Sequence, residues 1–147
     1  MKLAYKISLA VATALLLALF PSRGRSEQVQ RFDQFQVHYN ALSADMLPAE
    51  VARQYQFARS SKQGLVNIAV QKLDGTPVPA RISGTATTLA GQRTELVMRE
   101  IREADAVYYL GQFPVRGRDT LSFKLDITPE GSARSFALTF SKNYVTD

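Results

Sequence analysis

Leu121, Phe123, Leu125 and Ile127 alternate strictly with Ser122, Lys124, Asp126 and Thr128. Successive side chains of a strand point to opposite faces, so this run buries one face and wets the other. Two more runs share the pattern. Phe35, Val37, Tyr39 and Ala41 alternate with Gln34, Gln36, His38 and Asn40. Phe136, Leu138 and Phe140 alternate with Ser135, Ala137, Thr139 and Ser141. An antiparallel sheet with one wet side reads this way.

Four further runs fill the middle of the chain. Leu65 to Lys72 is apolar on both faces, Ala80 to Leu89 is rich in threonine, and Thr94 to Arg102 and Ala106 to Val115 complete the set. Gly84 marks a bulge or a point of close approach. Turn residues separate the runs: Asp74-Gly75, Ala90-Gly91-Gln92, Ala104-Asp105, Gly117-Arg118-Asp119 and Pro129-Glu130-Gly131. About seven strands at this density predict an all-β, immunoglobulin-like antiparallel β-sandwich. One segment breaks the pattern. Leu47, Val51 and Tyr55 recur at helical spacing behind Pro48, with Glu50 early and Arg53 late, the order the helix dipole favours. It predicts one short helix in the first long connection, lying across one end of the sandwich.

The N-terminus reads as an address. Lys2 and Lys6 precede a charge-free run from Ile7 to Phe20, and Pro21 ends it. Crossing a bilayer takes about 20 apolar residues. This shorter run has the layout of a secretory signal. The expected division is a signal peptide over residues 1–26, cut after Ser26 with Gly24 as second choice, and one domain over 27–147. The absence of an Arg-Arg pair favours the general secretory route. The signal holds Lys2, Lys6, Arg23 and Arg25 and no acid, which leaves 14 of the 18 basic residues against all 13 acidic ones. A nucleic-acid partner needs a basic excess to displace counterions from phosphates, so nucleic acid is excluded, as is strong attraction to anionic membranes. After cleavage the protein is expected in the periplasm, a monomer without stable membrane insertion.

Chemistry is sparse. The chain has no cysteine, which rules out disulfides, thiolate catalysis and Cys-based zinc sites. It has no phosphate loop, nucleophile elbow or HExxH motif. Its one histidine, His38, lies mid-strand between Gln36 and Asn40 and reads as an exposed or hydrogen-bonded strand residue. Arg99-Glu100-Ile101-Arg102-Glu103-Ala104-Asp105 reads as cross-strand ion pairs on a solvated rim, with Arg99 or Glu100 set among apolar neighbours. Tyr108 follows a string like the tyrosine-corner strand of immunoglobulin domains and is expected to tie down a loop. No catalytic constellation, metal site or cofactor is expected. Asn67 sits inside the run that is apolar on both faces, so its amide must find partners. Either Asn67 and Asn40 clamp loop backbone, or Asn40, Arg59, Ser60, Asn67 and Arg99 form a polar binding pocket at the helix end.

Several strings together resemble one family. They are His38-Tyr39-Asn40-Ala41, Leu47-Pro48-Ala49-Glu50-Val51-Ala52, and Arg59-Ser60-Ser61-Lys62-Gln63-Gly64-Leu65-Val66-Asn67-Ile68-Ala69-Val70. Gly91-Gln92, Arg99-Glu100-Ile101, Asp105 to Tyr109, Phe113-Pro114-Val115 and Pro129-Glu130-Gly131 fit as well. From about Phe32 to Asp147 the chain resembles domain of unknown function 4426, exported proteins of Gram-negative bacteria. The resemblance implies an immunoglobulin-like sandwich and periplasmic export, and brings no catalytic residue. Ala104 and Gln56 stand where the pattern expects glycine, which bears on turn geometry. The expected function is a non-enzymatic protein- or peptide-interaction module with a periplasmic partner. The alternative is a small-ligand carrier using the polar pocket.

Overall fold

The computed structural model describes residues 27–146. The expected signal peptide, residues 1–26, and its cleavage position lie outside the described residues. Two antiparallel sheets face each other. One holds β1 (Gln28–Phe32), β2 (Phe35–Ser43), β3 (Gln63–Lys72), β6 (Arg99–Glu103) and β7 (Ala106–Pro114), in the order β1-β2-β3-β7-β6. The other holds β4 (Ala80–Thr87), β5 (Arg93–Leu96), β8 (Arg118–Pro129) and β9 (Phe136–Val145), in the order β5-β4-β8-β9. The all-β sandwich is as expected, and the alternating runs fall in β2, β8 and β9.

The described residues form nine strands against the expected seven. The run from Thr94 to Arg102 is two strands. The chain leaves β5 in one sheet, crosses at Val97-Met98 and enters β6 in the other. Alternation continues through the crossing, so the run reads as one strand. β1 carried no signal at all. It is exposed along most of its length and buries no face, so apolar alternation is not required of it.

Inward-facing side chains of both sheets make the main core. Leu121, Phe123, Leu125 and Ile127 of β8 are all at most 2% exposed and meet Val37, Val66, Ile68, Val70 and Phe113 from the other sheet. Aromatic rings run through it. Phe123 stacks on Phe140 with centroids 4.7 Å apart and meets Phe113 edge-on at 5.0 Å, arrangements that add to plain burial. Gly84 of β4 is the close approach the sequence suggested. A Cβ there would come within 2.4 Å of the Lys124 carbonyl oxygen and 2.5 Å of Leu125.

The helix α1 (Ala49–Tyr55) corrects a second expectation. It does not lie across an end of the sandwich. Val51 and Ala52, with Leu47 before and Phe57 after, pack on Leu65, Ala69, Ile101, Tyr108 and Leu110. Those residues form the outer face of the five-stranded sheet. That sheet is therefore covered on both faces, which is why β3 is apolar on both. Gln56 ends the helix in the left-handed conformation (φ 59°), its N–H donating to the carbonyls of Ala52 and Arg53. Glycine ordinarily fills that place. Ala104, in the turn between β6 and β7, has φ 49°. Both departures from the family pattern thus sit at turns that glycine would relieve.

Candidate functional site

Strand register decides which of the five candidate residues meet. On the outer face of the five-stranded sheet, Asn40 of β2 is paired with Asn67 of β3, Asn67 with Leu110 of β7, and Leu110 with Arg99 of β6. Asn40, Asn67 and Arg99 therefore share one row, with Leu110 between the last two. Arg59 and Ser60 do not join them. They precede β3, where the Arg59 guanidinium donates to the Asp45 carbonyl at 3.3 Å and the Ser60 hydroxyl accepts from the Lys62 N–H. The five residues do not form the expected pocket at the helix end. Arg99 also has another task. It donates to the carbonyl of Tyr55, the last residue of α1, and lies 5.4 Å from the centre of the Phe57 ring. A cation at a helix C-terminus complements the dipole and the last free carbonyls.

The clamp expected of the two asparagines is not seen either. Asn67 is 2% exposed, and its Oδ1 has no hydrogen-bond partner among the described residues. Buried polar atoms are nearly always paired, because an orphan forfeits its hydration. A second orphan lies beside it. His38 is on the same face two residues before Asn40, diagonal to Asn67, and its Nε2 is buried without a partner. The other ring nitrogen, Nδ1, is 2.5 Å from Oε1 of Glu27, just ahead of β1. The sequence reads His38 as an exposed or hydrogen-bonded strand residue; its side chain is partly exposed and one ring nitrogen is bonded. Sequence reasoning missed Glu27, whose approach depends on the unsignalled pairing of β1 with β2.

A carboxylate and two phenols also lie on this face. Glu103, read from sequence as part of a solvated rim, is buried and accepts a hydrogen bond from the Tyr55 hydroxyl. Desolvation, with that bond and the nearby charge, pushes the Tyr55 phenol up to about 12. Burial also raises the Tyr108 phenol, helped by the charges of Glu27 and then Glu103. The remaining rim is solvated, but its ion pair lies along one strand instead of across two. Arg99 and Glu100 are both exposed, and neither is set among apolar neighbours as expected, because the buried positions of β6 fall to Ile101 and Glu103. Arg102 pairs with Glu100, and the pairing holds the Glu100 carboxyl below its usual range. Tyr109, next to Tyr108, ties the start of β4 to β6. Its hydroxyl accepts the Ala80 N–H at 2.8 Å and donates to Glu100 at 3.0 Å. A groove of about 380 Å³ near Pro79, Arg81 and Glu130 also includes Glu100 and Arg102, already paired with each other.

Fold and topology define a two-layer immunoglobulin-like sandwich with a helix capping one sheet. The sequence profile described as Domain of unknown function (DUF4426) matches residues 29–147, and the chain belongs to this family. It is similar to the crystal structure of a DUF4426 family protein from Pseudomonas aeruginosa PAO1, at 35% identity over 83% of this chain and 97% of that one, with a TM-score of 0.76. It also shares its fold with FetP of uropathogenic Escherichia coli strain F11, recombinantly expressed in the periplasm of E. coli, at 11% identity over 82% of this chain and 94% of that one, TM-score 0.61. A copper-bound variant of FetP aligns equally well, at 11% identity, 82% and 95% coverage and TM-score 0.61. No match to a curated protein is found. Among the described residues, no helix is long and apolar enough to cross a membrane.

Proposed function

We propose that this protein is a non-enzymatic module of the periplasm that takes an extended peptide segment of a partner protein along β9. The free edge of β9 carries the reading. β9 is ten residues long, pairs with β8 on one side, and ends its sheet on the other. An edge strand offers a row of unmatched N–H and C=O groups, and proteins usually blunt such edges with charges, proline or bulges. β9 has no proline, and Lys142 is its single charge. Its pairing with β8 runs from Arg118↔Val145 to Ile127↔Phe136 without a break. A peptide adding there gains main-chain hydrogen bonds for affinity and alternate side-chain positions for specificity. Export rests on the basic, charge-free and polar layout of residues 1–26.

The test is a photo-crosslinking residue placed at Ser141 on β9, with one at Ser83 on the interior strand β4 as control, in cells exporting the full chain. Discrete adducts from Ser141 alone are expected. Equal labelling from both positions, or none, would refute the edge. Intact mass of the exported protein is expected to correspond to loss of residues 1–26.

A second reading, a small-ligand carrier, is favoured by the two orphaned atoms, His38 Nε2 and Asn67 Oδ1. It moves the ligand from the helix end to the outer face of the sheet.

A further inference from the structure

The two sheets differ by one strand, and the difference falls beside β9. Phe35 and Tyr39 of β2 meet Phe136 and Phe140 of β9, and the Tyr144 hydroxyl donates to the Leu42 carbonyl at 3.1 Å. β2 therefore lies along β9. β1 is the next strand out from β2, whereas β9 ends its own sheet among the described residues. β1 thus projects past the free edge of β9, over the place a fifth strand of the four-stranded sheet would take. Its exposure agrees. Gln28 and Gln30 are paired with Tyr39 and Val37, two core residues, and so share their face, yet both glutamines are exposed. Phe32 closes one end of this shelf. It stacks on Phe136 with centroids 5.1 Å apart, and Asp33 beside it pairs with Arg134 at 3.1 Å. The other end is open. A cleft of about 40 Å³ there lies between Gln28 and Tyr39 on one side and Phe140, Ser141 and Lys142 on the other.

We propose that the segment taken by β9 is a single extended strand with an acidic residue opposite Lys142 and an apolar one two positions away, opposite Phe140; this rests on the β9 reading. Residues directly opposite across paired strands share a face, so both would enter the layer beneath β1. Phe140 is half-buried, with Phe123 and Tyr39 against it, and an apolar side chain beside it completes its burial. Lys142 follows on the same row and is exposed. Among the described residues it has no ion pair, nor has Arg31 of β1, whereas the acids on this side, Glu27 and Asp33, lie against His38 and Arg134. The unpaired charge here is positive, which calls for an acid in the partner. The overhang also decides between occupants. A second copy pairing through its own β9 would bring its β2 into the place that β1 holds. Edge-to-edge dimers are therefore blocked, and a lone strand is admitted.

The probe is a blocked peptide of threonines that carries one aspartate and one valine two positions apart, with asparagine and lysine counterparts of the aspartate. Each is titrated to millimolar concentration into the nitrogen-labelled exported protein. Amide resonances of β9 between Leu138 and Tyr144 are expected to shift, while those of β5, the edge at the far side of the same sheet, stay in place. The aspartate peptide is expected to bind about 3- to 5-fold more tightly than the asparagine one, and the lysine peptide most weakly. Lys142→Glu changes an exposed side chain, so the fold is kept, and it is expected to reverse the order of the aspartate and lysine peptides. Equal affinity for those two peptides, or an order that Lys142→Glu leaves unchanged, overturns the acidic preference and leaves the β9 reading standing. Resonances of β9 that shift with protein concentration alone would reveal a second copy and overturn the single strand. Silence of β9 toward all three peptides also overturns the proposal, and adducts from Ser141 in cells then decide whether the β9 reading falls with it.

Discussion

The two faces of the five-stranded sheet differ in what they leave unfinished. The inner face meets β8 and β9 in an apolar layer built from aliphatic side chains and stacked aromatic rings. The outer face packs α1 over Leu65, Ile101 and Leu110, but beside that apolar patch it buries Asn67, His38 Nε2 and Glu103. The same β3 supplies both. The Tyr109 and Tyr144 hydroxyls of the inner core are hydrogen-bonded, whereas an orphaned buried acceptor costs stability and calls for another reason to be kept. The inner face accounts for folding, and the outer face keeps buried acceptors that folding does not explain.

Breaking the inner face should have the largest effect. Leu125 is fully buried, and Leu125→Asp places a charge among apolar neighbours with no disulfide to compensate. The domain is expected to lose its cooperative thermal melt. Phe123→Ala should cost about 3–5 kcal/mol through the cavity it leaves, read by urea unfolding. The outer face should respond with the opposite sign. Asn67→Leu, which removes an orphan and keeps the volume, is expected to raise the stability of the protein by about 1 kcal/mol. A loss of that size would show that the Asn67 amide is satisfied.

These faces were unequally legible. The β8 row was plain because period-two burial is local: Leu121 to Ile127 declares its face without help from the rest of the chain. The burial of Asn67 was legible for the same reason, since its own strand is apolar on both sides. Its surroundings were not. Glu27 reaches His38 only through the pairing of β1 with β2, and β1 shows no burial pattern. Arg59 and Ser60 are near Asn67 in sequence but precede the strand, whereas Asn40 meets Asn67 through register. The crossing at Val97-Met98 was hidden because a strand that changes sheets keeps its alternation. The resemblance to the family marks two turns. Gln56 and Ala104 stood out as replacements for glycine, and both have positive φ.

Those two turns give smaller effects on the outer-face side. Ala104→Gly and Gln56→Gly are each expected to stabilise by about 0.5–1 kcal/mol, since a left-handed conformation costs a residue with a Cβ about 1–2 kcal/mol and glycine's extra unfolded freedom offsets part of it. Thermal melts of the two variants check this. Alkaline pH should weaken the same side. The Tyr55 phenol titrates near 10.0 when unfolded and is raised to about 12 when folded. Its contribution is fully present below pH 10 and is lost as pH rises toward 12. Tyr55→Phe should flatten that part of the stability profile, measured by unfolding at stepped pH. Arg59→Ala, exposed in the segment before β3, is expected to change stability by less than about 0.5 kcal/mol.

The most direct measurement uses the fact that the chain has one histidine. Nitrogen NMR of the full chain labelled at histidine reports the two ring nitrogens separately. The account predicts, for the neutral ring, a proton on Nδ1 facing Glu27 and a bare, unpartnered Nε2. A proton on Nε2 with Nδ1 bare would contradict the claim that the outer face buries acceptors that folding does not satisfy.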